Sequence, residues 1–273
     1  MESVKNAGRD VVMLSSTIGP VTAGIVPLLA KTYENRTGTK VEFEAAGTGI
    51  TLEKARSGDF DLVVAHARSL EDRFIADGYG IDRRDIMYND FIIFGPVEDP
   101  AGIRGMNDAV SAFAKIAAAK ALFVTRGDMS GTHVKEMELW DKTTMRPDSA
   151  KDTWYVTCES GKLGNGPTFL FADKLNSYIL MDRATHLIMK NRIRIMPIVE
   201  RDSILLNFIA AIQVNPEKFP GINAKGARAF TDWLCGDEAQ TIIRDFEVEK
   251  YNEPLFFPNS DEWNRKYKGG FRS

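Results

Sequence analysis

The chain has 273 residues, enough for one large domain or for two lobes that each bury a core. Apolar residues make up 44% and charged residues 27%, ordinary proportions for a globular protein, and a net charge of −3 leaves no basic footprint for a nucleic-acid partner. No apolar run approaches the ~18 residues of a membrane span, so an anionic ligand, if there is one, must be drawn by local dipoles and a few placed cations.

Strand and helix patterns alternate along the first hundred residues. VVMLSST (11–17) reads as a buried strand, and TAGIVPLLAKTYENRTG (22–38) as a helix that stops at Gly38. KVEFEAAGTG (40–49) alternates and meets a glycine turn; ITLEKARSG (50–58) is a short helix. FDLVVAHA (60–67) is a strand and RSLEDRFIADG (68–78) a helix. The breakers Gly95-Pro96 and Asp99-Pro100 follow NDFIIFGPVEDP (89–100) and suggest the edge of a first lobe. The same grammar then restarts: a helix near 107–119, the strand ALFVTR (121–126), a helix from Ser130, a mixed stretch holding GKLGNGP, and strands SYILM (177–181) and RIRIMPIVE (192–200). LLNFIAAIQVNP (205–216) is a long apolar run, and AKGARAFTDWLCGDEAQTIIRDF (224–246) returns to helix. Alternation of this kind predicts α/β lobes with parallel sheets between helices. Segments 89–96 and 205–214 are the candidate crossovers.

In open α/β sheets ligands sit beyond the carboxyl ends of the strands. Those ends carry SSTIGP (15–20), GTGIT (47–51), AHA (65–67) and TRGDMSGTH (125–133). Hydroxyls, glycine-exposed N–H groups, an imidazole and a guanidinium are all donors. Several of these junctions open a helix, whose N-terminus favours an anion. Any one of them alone would read as ordinary helix capping; four at four strand ends read as a cage for oxygens. Asp128 is expected to orient Arg126 or to cap the helix, since its carboxylate would repel a dianion.

No hydrolytic constellation is present. There is no G-x-S-x-G elbow, no P-loop and no dinucleotide fingerprint, and His66, His133 and His186 lack metal spacing. The RRD-type charged stretches read as solvated faces. Cys158 and Cys235 lie far apart and define no disulfide framework; one bridge or two unpaired thiols both fit. The opening MESVKNAGRD lacks a signal peptide's apolar stretch, so the chain is either cytosolic or trimmed of its leader and restarted with Met.

Four blocks follow one order: GTGITLEKARSGDFDLVVAHARSLEDRFIADGYGIDRRDIMYNDFIIFGP, TRGDMSGTHVKEMELW, SYILMDRATHL and IQVNPEKFPGINAKGARAFTDWL. In that order they resemble the tungstate-binding proteins of bacterial ABC importers, the Tup type, across residues 11 to 258 or so. DRRDIMYND, RGDMSGTH and DRATH together are specific to that group. More distantly, RGDMSGT resembles the R-[SG]-D-x-S-G-T loop of periplasmic phosphate-binding proteins.

The resemblance implies an α/β, two-lobed, type II periplasmic binding protein fold, each lobe a mostly parallel sheet flanked by helices. Lobe I would be 1–94 plus 209–273 and lobe II 95–208, with the ligand cleft between them. It implies a monomeric receptor, periplasmic or lipid-anchored and trimmed of its leader, that delivers an oxyanion to an ABC permease in the inner membrane. The ligand would be tungstate or molybdate, with no cofactor, no resident metal and no enzymatic activity. The alternatives are a molybdate or phosphate receptor of the same fold, or an oxyanion-sensing module not coupled to transport. By motif position, ligand contacts fall on Ser16, Thr17, Thr48 and His66, and in the other lobe on Arg126, Ser130, Gly131 and Thr132. The first loop of the tungstate group is usually a run of Thr and Ser, whereas here Ile18-Gly19-Pro20 follows. In the phosphate-binding relatives an acidic residue after the third strand accepts the proton of hydrogen phosphate. His66 stands at the corresponding place and can donate instead.

Overall fold

The computed structural model describes residues 11–267. The opening segment 1–10, on which the expectation of a trimmed leader rests, and residues 268–273 lie outside the described residues. In chain order the first elements are β1 (Val11–Thr17), α1 (Ile18–Ala23), α2 (Ile25–Thr37), β2 (Lys40–Ala46), α3 (Thr48–Ala55), β3 (Leu62–Ala65), α4 (Arg68–Ala76) and β4 (Gly80–Gly95). Then come α5 (Ala109–Ala118), β5 (Phe123–Thr125), α6 (Gly131–Lys142), β6 (Tyr155–Thr157), α7 (Asn165–Leu175), β7 (Ile179–Asp182), α8 (Arg183–Met189) and β8 (Met196–Val199). The chain closes with β9 (Leu206–Val214), α9 (Ala224–Cys235), α10 (Asp237–Asp245), α11 (Val248–Tyr251), β10 (Phe257–Pro258) and α12 (Asp261–Tyr267).

These elements form two compact units. One comprises residues up to Tyr88 and residues from Phe208 onward, the other Asn89 to Asn207. The chain passes from one unit to the other inside β4 and returns inside β9.

In the first unit the strand order is β2-β1-β3-β9-β4-β10. β1 pairs parallel with both β2 and β3. Each intervening helix carries the chain back so that the next strand starts in the same direction. β9 pairs antiparallel with β3, and β10 antiparallel with β4; these strands return from later in the chain and no βα unit sets their direction. Val63 and Ala65 pack with Leu52, Ala55, Phe74, Ile212 and Val214. Leu62 and Val64, at the alternate positions, are equally buried. A strand covered on both faces reads as a nearly continuous apolar run, which is what 62–65 shows.

In the second unit β4 continues between β7 and β8, antiparallel to both. Phe91 and Ile93 enter one core with Phe113, Phe123 and Trp140, while Ile92 and Phe94 enter another with Val124, Phe169 and Met181. This is the period of two expected of a strand buried on both sides. β5 pairs parallel with β6, and a bridge from Phe123 to Tyr178 sets it beside the start of β7.

Two local readings change. The helix read over 22–38 is two helices, α1 and α2, broken at Gly24 with φ of 96°, a left-handed conformation that only glycine adopts cheaply. The residues DRRDIMYN (82–89) lie within the 16-residue β4. Arg83 of the RRD stretch is not on a solvated face, whereas Arg84 pairs with exposed acids. Arg83 meets the fully buried Glu71 at 2.7 Å and Asp85 at 3.0 Å; Arg84 meets Asp232 and Glu262, each at 2.5 Å. β4 lies between β9 and β10, so its polar side chains meet acids carried by the packed helices α4, α9 and α12. Burial raises the Glu71 carboxyl pKa even against the pull of Arg83. Cys158 and Cys235 are both buried free thiols.

Candidate oxyanion site

In the first unit, parallel pairing brings three strand ends to one edge. Thr17 pairs with Ala46 and Ser16 with Val64, so the loops after β1, β2 and β3 leave the sheet side by side. Ser15, Ser16, Thr17, Thr48 and Thr51 are all at most 1% exposed. Their hydroxyls have separate uses. Ser15 Oγ donates to the Thr51 carbonyl at 3.0 Å, and Thr51 Oγ1 to the carbonyls of Ser16 (3.0 Å) and Ala46 (3.2 Å). These bonds tie α3 to β1. Ser16 Oγ donates to the Thr17 carbonyl at 3.3 Å. Thr17 Oγ1 and Thr48 Oγ1 are buried without a hydrogen-bond partner. Thr48 opens α3 after Gly47, and neither Gly47 nor Thr17 makes a side-chain cap. A buried unpaired hydroxyl is costly, so two at one sheet edge mark a place where an acceptor belongs. His66 is half-buried directly after β3.

In the second unit the end of β5 leads into Arg126, which is 6% exposed. Arg126 Nη1 donates to Asn165 Oδ1, and Nη2 donates to Asp128 Oδ2 at 2.5 Å and to the Gly161 carbonyl at 2.9 Å. A guanidinium has five N–H donors; three are thus engaged, and the Nε–H is buried with no partner. Asp128 orients Arg126, as expected, while the helix cap is Ser130 and not Asp128. One oxygen takes Arg126 and the other accepts the Ser130 N–H at 3.1 Å.

Gly127 and Met129 have φ of 63° and 58°. Met129 N donates to His133 Nδ1 at 3.0 Å, so this imidazole acts as a neutral acceptor, and burial holds its pKa down. Ser130 caps α6 by accepting from His133 N at 3.3 Å, which leaves its own O–H to donate elsewhere. Val134 N is taken by the Ser130 carbonyl. The N–H groups of Gly131 and Thr132 therefore remain among the helix's unspent donors, where the helix dipole is positive. Thr132, 3% exposed, donates its hydroxyl to Asn165 Oδ1 at 3.2 Å.

The residues expected to act thus fall into two sets: Ser16, Thr17, Thr48 and His66 in the first unit; Arg126, Ser130, Gly131 and Thr132 in the second. Sequence reasoning missed Gly161, Asn165, Asp182 and Thr185, which stand behind Arg126. The glycines of GKLGNGP and the DRATH motif were the available signal. A Cβ on Gly161 would lie 2.4 Å from the Arg126 carbonyl oxygen, so only glycine permits that approach. Behind the site Glu136, one turn beyond Thr132, is buried and accepts from Tyr155 Oη at 2.6 Å and Trp140 Nε1 at 3.1 Å. Burial pushes its carboxyl up to about 7. Among the described residues no cluster of His, Cys, Asp or Glu has the makings of a metal site. Each set is rich in donors, and the second also carries the Arg126 cation, chemistry suited to oxyanion oxygens.

Comparison with known proteins agrees with this class. Residues 7–238 match the model of the PBP superfamily domain, and the chain belongs to that superfamily. Within it the chain belongs with the tungstate-binding proteins. It is 37% identical over 261 residues to tungstate-binding protein TupA of Peptoclostridium acidaminophilum, covering 95% of this chain and 89% of the relative. The solved structure of TupA from Desulfovibrio alaskensis G20 is 36% identical with a TM-score of 0.79, covering 92% of this chain and 99% of that one. A structure described as the tungstate ABC transporter from Geobacter sulfurreducens is 36% identical with a TM-score of 0.76, covering 88% of this chain and all of that one.

Proposed function

We propose that this protein is the extracytoplasmic receptor of an ABC importer, and that it captures tungstate as a bare tetrahedral dianion and hands it to a membrane permease. Each of the two units contributes part of the donor set. Thr17, Thr48 and His66 act from one lobe; Arg126, Ser130, Gly131 and Thr132 act from the other. Desolvation of the bound anion strengthens each charge-assisted hydrogen bond in the lowered dielectric. The observation that carries this reading is the trio of buried, unpartnered donors Thr17 Oγ1, Thr48 Oγ1 and Arg126 Nε. The names borne by the relatives support tungstate as the ligand and transport as the purpose. The protein works as a binder, with no reaction of its own and no cofactor.

His66 accounts for selectivity against hydrogen phosphate. A donor there meets a bare oxygen well and a protonated one badly, because two facing donors leave buried polar groups unpaired. Titration calorimetry with tungstate, molybdate, sulfate and phosphate at one pH tests the reading. Tungstate is expected to bind far more tightly than phosphate, while molybdate, a dianion of nearly the same size and shape, measures how far the site separates the two metals. Failure to bind any tetrahedral dianion, or a preference for phosphate, would sink it.

A further inference from the structure

We propose that Asn165 is a positioning residue for oxyanion capture by Arg126 and Thr132, and that Asp182 dictates which end of the Asn165 amide faces them. The inference rests on the oxyanion reading above and assigns work to a residue that meets the ligand only through others.

An amide side chain has two chemically opposite ends, an acceptor and a two-proton donor. Asn165 uses both. Its Oδ1 accepts from Arg126 Nη1 and from the Thr132 hydroxyl. Its Nδ2 donates to Asp182 Oδ2 at 2.6 Å and lies 3.5 Å from Thr185 Oγ1. Asp182 is itself held fast. As the N-cap of α8 it accepts the Thr185 N–H at 2.8 Å on one oxygen and the Thr185 hydroxyl at 2.6 Å on the other. It is 7% exposed. Both Asp182 oxygens already serve as acceptors to Thr185, so what Asp182 offers Asn165 is an acceptor, and it receives the NH₂ end of the amide. Turned over, the amide would set its NH₂ against the guanidinium and its oxygen against the carboxylate, two mismatches in a buried place.

The consequence reaches the anion through Arg126. Asn165 holds Nη1, while Asp128 and Gly161 hold Nη2, so the guanidinium plane cannot rotate. What remains for a ligand is the Nε–H and the second proton on Nη1. Thr132 gains as well. The Asn165 carbonyl has Arg126 as a second donor, so the Thr132 hydroxyl can turn to an anion without stranding that oxygen. A residue that merely braced the loop before α7 would need none of this polarity.

The test exploits the polarity. Tungstate calorimetry and ligand-free melting temperature are measured on the full chain for wild type, Asn165→Leu, Asp182→Asn, Asn165→Asp and the double exchange Asn165→Asp with Asp182→Asn. Each single variant is expected to lose tungstate affinity tenfold or more. Asn165→Asp does so because two carboxylates then face each other. The double exchange restores a donor against an acceptor with the sense reversed, and recovers at least tenfold over Asn165→Asp alone. If wild type binds tungstate and Asn165→Leu and Asp182→Asn bind within threefold of it, the inference is wrong while the oxyanion reading survives. A double exchange no tighter than Asn165→Asp also overturns it, whatever happens to the melting temperatures. Wild type that binds no oxyanion removes the underlying reading, and this inference with it.

Discussion

Replacing Thr48 by Val separates a ligand-reading hydroxyl from a structural one, because the two roles change stability in opposite directions. Val has the shape of Thr without the hydroxyl. Thr48 is fully buried at the first position of α3, and its Oγ1 has no hydrogen-bond partner. Leaving a buried hydroxyl unpaired costs about 1–3 kcal/mol. Thr48→Val removes that cost, so the ligand-free protein is expected to gain about 1 kcal/mol, a rise in melting temperature of about 2–4 °C at this chain length. The same change deletes one hydrogen bond to a charged oxygen, about 1.5–3 kcal/mol. Tungstate affinity should therefore fall about 10- to 150-fold. Scanning calorimetry without ligand and titration calorimetry with tungstate read the two effects on one preparation. A ligand-free protein that melts several degrees lower, with unchanged affinity, would refute the reasoning and make the Thr48 hydroxyl part of the fold.

Arg126→Ala removes the cation and leaves Asp128 buried without it; tungstate affinity should drop by roughly 2–5 kcal/mol, the range for breaking a buried charge pair. Binding within about threefold of wild type by calorimetry would take Arg126 out of the site. His66→Asp should weaken tungstate far more than it weakens phosphate when both proteins are titrated with both anions at one pH; equal losses, or none, would contradict the role given to the imidazole. Glu136 predicts a pH effect on stability. Its carboxyl rises from 4.5 to about 7 on folding, so the folded state holds a proton that the unfolded state has lost between those values. That stabilising contribution is complete below about pH 4.5 and is lost as pH rises through 7, about 3 kcal/mol in all. Urea midpoints between pH 5 and 7.5 should therefore fall less steeply for Glu136→Gln than for wild type, and identical slopes would count against the assignment.

Much of this protein is legible along the chain, because its signals are local. The βα alternation from Val11 to Ala76 follows from apolar periodicity and glycine stops, and it fixes which loops leave the sheet at its carboxyl edge. The RGDMSGTH junction declares a cation, a cap and a helix start within a few residues, and the structure keeps all three where the order put them. The helix break at Gly24 was available in principle but hidden, since the apolar spacing runs on across it. Tertiary structure alone decided how the hydroxyls are spent. Ser15 and Thr51 look as suited to a ligand as Thr17 and Thr48, yet the first pair is consumed in bonds spanning 36 and 35 residues and the second is not. Asn165 lies 39 residues from Arg126, and Asp182 17 from Asn165. Nothing in their local sequence announces the partnership. A side chain's periodicity records which face it occupies, whereas the partner of its hydrogen bond depends on which distant segment the fold lays against it. The first is a property of neighbours in sequence and the second of neighbours in space.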